Sequence, residues 1–186
     1  MDERDKIMKK MIFLILFGFV IGLVTIFFGH KTIQITGDLP FCGACHVMEP
    51  MEKSYLNDVH SGIGKTGVKA ACVDCHLPHN NIFNYLLTKA YNGTKEVFIT
   101  AIGKDKDVDW LEKLNHREKF TYDSGCLNCH SNITNNLASN SQNTMHMKYL
   151  DSNNTLSCVS CHKQVGHSGL RGELHKFDPE KYPLYK

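Results

Sequence analysis

Eight cysteines define the chemistry of this 186-residue chain, because they occur as four pairs with one spacing. Each pair reads Cys-x-x-Cys and is followed at once by a histidine. Two thiols at this spacing can bond to the two vinyl groups of one porphyrin, and the adjacent histidine can bind the iron. The sequence therefore predicts four covalently bound haems c, attached through Cys42 and Cys45, Cys72 and Cys75, Cys126 and Cys129, and Cys158 and Cys161.

Zinc and disulfides are the competing uses of paired cysteines. A zinc ribbon takes two Cys-x-x-Cys pairs per metal and has no need of a histidine after each pair. The four motifs use all eight cysteines, so none is left over for a disulfide framework. We therefore predict haem attachment rather than either alternative.

The motif histidines supply one axial ligand for each iron, namely His46, His76, His130 and His162. At the first motif, Met48 lies two residues after His46, so the two can hardly bind one iron from opposite faces. Either His46 binds the iron, which the spacing alone favours, or Met48 displaces it. A methionine ligand would raise the reduction potential.

Other histidines compete for the remaining axial positions. His60 lies in a glycine-containing loop before the second motif, where a surface position is the alternative to a ligand role. His167 is too close to His162 in sequence to bind the same iron, but it could reach a neighbouring haem. His116 and His146 are further candidates, and sequence order does not assign them.

An uncharged apolar segment, residues 11–29, precedes the motifs. As a helix it spans about 28 Å, enough to cross a bilayer. The segment lacks the small residues of a cleavage site, so an anchor is favoured over a cleaved signal peptide. Lys and Arg residues in 1–10 predict a cytoplasmic N-terminus and an outward-facing domain at 30–186. The first motif begins only 12 residues after the anchor (30–41), close to the membrane surface.

Composition limits the fold and the partners. The net charge of +2 gives no indication of nucleic-acid binding. The residues after the anchor leave roughly 40 per haem, too few for an ordinary core around each porphyrin. We therefore expect a mainly α and irregular fold, with one N-terminal transmembrane helix, a small domain whose core is largely haem, and a polar C-terminal tail from Arg171.

A helix is predicted from Asn81 to Ile102, ending near Gly103. Lys89, Gly93 and Glu96 share one face of it. Glycine inside a helix costs about 1 kcal/mol, and close approach of a flat group such as haem would offset that cost. Lys89 and Glu96 could then serve a proton-coupled reaction, whereas the alternative is a solvated charged stripe.

Taken together, the motifs resemble the NapC/NirT/NrfH quinol dehydrogenases over nearly the whole chain. The similarity rests on the anchor, the four haem motifs, H-x-M at the first motif, C-V-D-C-H-L-P-H at the second and C-H-x-x-V-x-H at the fourth. C-H-V-M-x-P at Cys45–Pro50 and K-A-x-x-G-x-x-E at Lys89–Glu96 look most like the NrfH branch, which feeds cytochrome c nitrite reductase.

The resemblance implies roles for individual residues. Met48 matches the methionine that binds the first haem, which reverses the preference for His46. Lys89 matches the lysine near the quinol pocket, and Glu96 matches a carboxylate that is usually the shorter Asp. His60 matches the distal ligand of the fourth haem and His167 that of the third. The second haem can take a lysine from the partner enzyme, with His116 or His146 as competitors.

The implied function is quinol oxidation in the bacterial cytoplasmic membrane. A membrane quinol, with menaquinol as the expected species, would give electrons to the first haem. The other haems would carry them to a periplasmic multihaem nitrite reductase, in a hetero-oligomeric complex that ammonifies nitrite. The alternatives are a different periplasmic reductase, such as nitrate reductase, or an anchored carrier without a quinol site.

Overall fold

The computed structural model describes residues 3–133, 141–151 and 155–184. Within these ranges the α-helices are α1 (Glu3–Ile35), α2 (Glu49–Leu56), α3 (Cys72–His76), α4 (Ile82–Ala101), α5 (Trp110–Asn115), α6 (Asp123–Cys129), α7 (Ser141–Leu150), α8 (Cys158–Cys161) and α9 (Leu170–Phe177). Short 3₁₀ helices lie at His46–Met48, Lys104–Asp107, Arg117–Lys119 and Ser131–Ile133. The described ranges contain no β-strand, only an isolated bridge between Ser61 and Lys69. The predicted mainly α and irregular class is confirmed.

Helix α1 contains the predicted anchor, 11–29, and extends beyond it at both ends. It is 33 residues long, and its most apolar window has a mean hydropathy of 2.9. None of that window is buried against the rest of the chain. By length and composition, this helix can cross a membrane.

The apolar core of the described residues is small. Its buried hydrophobic side chains are Tyr55, Leu77, Val159, Leu170, Leu174 and Tyr182. So few buried apolar groups offset little of the conformational entropy lost on folding. A core this small fits the expectation that porphyrins supply much of the buried apolar surface.

The C-terminal region corrects the sequence prediction of a polar tail. Its residues 170–177 form α9, which packs on α2, and Leu174 is fully buried. Tyr182 is 2% exposed, and its hydroxyl donates to the Val108 carbonyl at 3.0 Å. Because Leu170, Leu174 and Phe177 are separated by charged residues, the stretch looks polar, although their spacing puts them on one helix face.

Helix α4 confirms the helix predicted from Asn81. The Asn81 side chain accepts a hydrogen bond from the Asn84 amide at 2.8 Å, which caps the first turn. Gly103 follows the last turn with φ of +72°, a left-handed conformation that favours glycine and stops the helix. No residue of α4 is buried.

Candidate haem-binding site

Three of the four motifs lie wholly or largely in short helices. The second and fourth motifs begin α3 and α8, and the third ends α6. In a helix, residues three and four apart lie on one face, so both cysteines and the histidine can face one porphyrin. The first motif differs, because its cysteines lie in a turn and a 3₁₀ helix carries His46 and Met48.

The histidines of the second, third and fourth motifs each face a second histidine. The ring centroids are 6.0 Å apart for His76 and His167, 6.2 Å for His130 and His60, and 6.3 Å for His162 and His146. Two imidazoles on opposite faces of one iron, with metal–nitrogen bonds of about 2 Å, have centroids about 6 Å apart. The three separations therefore fit haem irons held between paired imidazoles.

Hydrogen bonds at Nδ1 orient several of these rings. His76 Nδ1 lies 2.6 Å from the Phe120 carbonyl oxygen, and His167 Nδ1 lies 3.1 Å from that of Met51. A carbonyl oxygen only accepts, so Nδ1 carries the proton in both rings and Nε2 keeps the lone pair that binds metal. His60 Nδ1 lies 2.8 Å from the Asp58 carboxylate, an arrangement typical of metal-bound histidines.

Burial keeps two of the paired histidines neutral. It lowers the pKa of His76, and it lowers the pKa of His167 to about 4, with the neighbouring His76 as the second cause. Neutral imidazole is the form that binds a metal. His167 is therefore ready to bind over the whole physiological pH range.

The pairing of the imidazoles differs from two assignments that the resemblance implies. His167, expected at the third haem, lies beside the second motif, and His60, expected at the fourth, lies beside the third. The cause is α2 and the loop after it: Met51 and Ser54 position His167, while Asp58 positions His60. His146, a competitor for the second haem, instead faces His162 of the fourth motif.

His116 is not brought to a haem motif. Its ring nitrogens lie 3.2 Å from a Glu112 carboxylate oxygen and 3.8 Å from one of Glu118, and the side chain is 47% exposed. Both nitrogens are thus directed at carboxylates on the surface. Of the two histidines that the sequence left competing, the geometry favours His146 as a ligand.

The first motif has a different environment. Among the described residues, the His46 ring contacts Phe177 with centroids 4.9 Å apart, and its Nδ1 lies 3.3 Å from Glu49. The side chain is 80% exposed and borders a cavity of about 220 Å³ between α2 and α9. Met48 follows at the end of the 3₁₀ helix and is partly buried. Within the part of the chain that the structure describes, no second imidazole faces His46 as one faces each of the other motif histidines.

The cysteines show which motifs are neighbours. The Cys42 side chain of the first motif lies close to the Cys72 side chain of the second. Cys126 and Cys158 form a second such pair, which lies with the Asp123 carboxylate within 4.8 Å. The second and third motifs meet where the Tyr122 amide donates to the Cys75 carbonyl at 2.9 Å. The motifs therefore lie in chain order.

Lys89 and Glu96 share a face of α4 but have different surroundings. Lys89 Nζ donates to the carbonyl of Thr36, directly after α1, at 2.9 Å, and the Cys42 side chain lies nearby. Partial burial lowers the pKa of Lys89. Glu96 is exposed and lies about 10 Å further along the helix axis. Only Lys89 is held beside the first motif.

Two carboxylates lie near the motif cysteines and the paired histidines but belong to no recognisable sequence motif. Asp38 pairs with Lys69 and accepts from the Cys72 thiol at 3.6 Å, so it connects the segment after the anchor to the second motif. Asp58 is 7% exposed and orients His60. The sequence marks Asp38 only weakly, as the one acidic residue in the segment between the anchor and the first motif.

Comparison with known protein families decides the identity of this arrangement. The model of the NapC/NirT cytochrome c family, N-terminal region, matches residues 4–171. The chain belongs to this family. Membership confirms the resemblance, and with the Cys-x-x-Cys-His motifs and paired imidazoles it supports covalently bound haem c and electron transfer. With α1, it supports a single-pass N-terminal membrane anchor.

Several relatives are similar to a comparable degree. The tetraheme c-type cytochrome CymA of Shewanella oneidensis is 32% identical over 86% of this chain and 91% of its own length. NapC of Haemophilus influenzae is 32% identical over 80% of this chain and 78% of its own length. The cytochrome c nitrite reductase subunit NrfH of Nitratidesulfovibrio vulgaris is 29% identical over 82% of this chain and 79% of its own length. No solved structure matches significantly. Family members transfer electrons from quinol to periplasmic reductases, and these likenesses do not single out the NrfH branch.

Proposed function

We propose that this chain is a tetrahaem quinol dehydrogenase that supplies electrons to a periplasmic reductase, with cytochrome c nitrite reductase as the acceptor. One observation carries the proposal. Three motif histidines face a second imidazole at the separation that spans an iron, whereas His46 of the membrane-proximal motif does not. One haem with a different ligand set beside the anchor fits an entry point for electrons from a membrane substrate.

The residues that would hold the haems follow from the pairs. We assign His76 with His167 to the second haem, His130 with His60 to the third, and His162 with His146 to the fourth. Met48 is the proposed ligand of the first haem, with His46 displaced toward Glu49 and Phe177. When bound, haem c supplies one-electron transfer.

Lys89 is the proposed quinol-positioning residue. Its ammonium group is already directed at the end of α1 by the Thr36 carbonyl, at the level where a quinol would leave the bilayer. An ammonium can donate a hydrogen bond to a quinol oxygen. Oxidation of a quinol to a quinone releases two electrons and two protons, and Glu96 on the same helix face is the proposed proton acceptor toward water.

The acceptor has a second candidate. The likeness to NapC and CymA favours a reductase other than nitrite reductase. This likeness is as strong as the likeness to NrfH, which favours nitrite reductase. The nitrite assignment rests on the finer motifs C-H-V-M-x-P and K-A-x-x-G-x-x-E.

Purification from membranes in mild detergent, followed by a quinol:nitrite assay, tests the proposal. Nitrite reduction with a co-purifying haem protein supports the nitrite assignment. Quinol oxidation with only another acceptor keeps the dehydrogenase and replaces the partner. Absence of quinol oxidation would leave an anchored carrier.

A substitution tests the role of Glu96. Glu96→Gln should slow quinol oxidation with haem content intact. Glu180→Gln, at an exposed position near the C-terminus, should leave quinol oxidation unchanged.

A further inference from the structure

One carboxylate connects three of the helices around the third and fourth motifs. Asp123 is the first residue of α6, the helix that contains the cysteines of the third motif. Its Oδ1 accepts a hydrogen bond at 3.0 Å from the backbone amide of Cys158, the first residue of α8. Its Oδ2 accepts a hydrogen bond at 2.9 Å from the hydroxyl of Tyr149 on α7. Both oxygens of Asp123 therefore have donors on other helices.

Tyr149 and His146 lie on the same side of α7. They are three residues apart, which separates them by about 60° around the helix axis. The His146 ring faces that of His162 in the fourth motif, and the Tyr149 hydroxyl faces Asp123. Because a helix moves as a unit, a displacement of Tyr149 from Asp123 would also displace His146 from His162.

Contacts with the rest of the chain hold α7 only loosely. Of the α7 side chains that the structure describes, those of residues 144–150, none is buried by protein. A hydrogen bond to a carboxylate is stronger than one between neutral groups. Partial burial and the Asp123 carboxylate raise the pKa of Tyr149, so its hydroxyl keeps its proton and remains a donor at neutral pH. The hydrogen bond between Tyr149 and Asp123 therefore has a large share in fixing the position of α7.

We propose that this hydrogen bond positions His146 as a ligand of the fourth haem iron. A metal ligand must be held within about 0.5 Å of its productive position by supporting groups. Asp123 is joined to the backbone of Cys158, which belongs to the same motif as His162, so the network connects the helix of one imidazole to the motif of the other. Tyr149 and Asp123 are positioning residues. The inference rests on the proposed assignment of His146 to the fourth haem and does not depend on the acceptor of the electrons.

Carbon monoxide binding to the reduced, full-length holoprotein tests this role, because the gas binds a ferrous haem only where an axial position is open or its ligand leaves. Stopped-flow absorbance gives the rate, with the unsubstituted protein as the reference. Tyr149→Phe removes the hydroxyl and keeps the ring. We expect one haem to bind carbon monoxide about tenfold faster in this variant, the size of effect that fits one charged hydrogen bond. Tyr91→Phe, at an exposed position on α4, should leave the rates unchanged.

A double variant separates positioning from a general effect on the fold. His146→Ala alone should open one further haem to carbon monoxide. If Tyr149 acts through His146, adding Tyr149→Phe to that variant should not change the rate again. Further acceleration in the double variant, or a rate in Tyr149→Phe equal to that of the unsubstituted protein, would overturn the positioning role. No additional carbon monoxide binding in His146→Ala would instead overturn the assignment of His146 and leave the other two histidine pairs in place. Haem content and the visible spectrum verify that each variant is assembled.

Discussion

His146 of α7 and His162 of the fourth motif lie with ring centroids 6.3 Å apart and ring planes 19° apart. These residues are separated by the chain between α7 and α8, yet their spacing fits two ligands of one iron. This relationship distinguishes His146 from His116, which faces two surface carboxylates.

Removal of His146 should therefore change one haem. His146→Ala would leave the fourth iron with one protein ligand, and we expect a high-spin ferric signal equal to one additional haem. His116→Ala is the matched control and should leave the spectrum unchanged. Electron paramagnetic resonance of the purified holoprotein makes the comparison. A high-spin signal in His116→Ala alone would transfer the ligand role to His116.

The first haem offers a choice between two neighbouring residues. If Met48 binds the iron, Met48→Ala should abolish its thioether ligation and reduce quinol oxidation, whereas His46→Ala should retain both. A potentiometric titration should also show one potential fall in Met48→Ala, because thioether ligands raise it. The reverse pattern in the two variants would restore His46 as the ligand.

Asp58 should influence the third haem through His60. Its carboxylate accepts from His60 Nδ1 at 2.8 Å and makes the imidazole a stronger electron donor. Asp58→Asn should raise the potential of one haem and weaken its axial ligand, since such partners change metal affinity by about 10–100-fold. Asp107→Asn, at an exposed position, serves as the control in a redox titration. Identical potentials in both variants would remove Asp58 from this role.

The lowered pKa of Lys89 predicts that quinol oxidation depends on pH. Burial lowers its pKa below the ordinary value of 10.5, so its ammonium group loses its proton earlier than an exposed lysine as pH rises. The positive form donates the hydrogen bond, and kcat/KM for quinol should therefore fall on the alkaline side below pH 10.5. Lys89→Arg, which stays charged, should flatten that limb.

Lys89→Met tests how much the charged hydrogen bond of Lys89 contributes to kcat/KM for quinol. Loss of a charge-assisted hydrogen bond should lower kcat/KM by about ten- to a hundredfold. Lys95→Met on the same helix is the control because Lys95 is exposed. An alkaline limb that persists in Lys89→Arg would assign the titration to another group.

Gly125 should be essential for packing the second motif on the third. A Cβ at this buried position would collide with the Asp74 carbonyl oxygen, which is backbone and cannot rotate away. Gly125→Ala should destabilise the holoprotein by about 1–3 kcal/mol or more. Gly172→Ala in α9 meets no atom within 4 Å and should be neutral or stabilising by up to about 1 kcal/mol. Thermal melts followed at the haem absorbance provide the comparison.

Local features of the sequence determined most of the fold class and the cofactor. Each haem motif is recognised from five consecutive residues, and the anchor is recognised from 19. Helix α4 is predicted from the asparagine that caps it and the glycine that follows it. Each depends on covalent chemistry, hydropathy or hydrogen bonds between near neighbours, so it needs no knowledge of distant contacts.

Tertiary structure decided which histidines meet and what lies in the core. His167 reaches the second motif because α2 holds it, and α9 is buried because its apolar face matches α2, although its composition is polar. These outcomes depend on contacts between residues more than 100 positions apart, as between Met51 and His167. The sequence lists the candidate ligands, but only the packing of the helices selects the imidazole that faces each of the last three motifs.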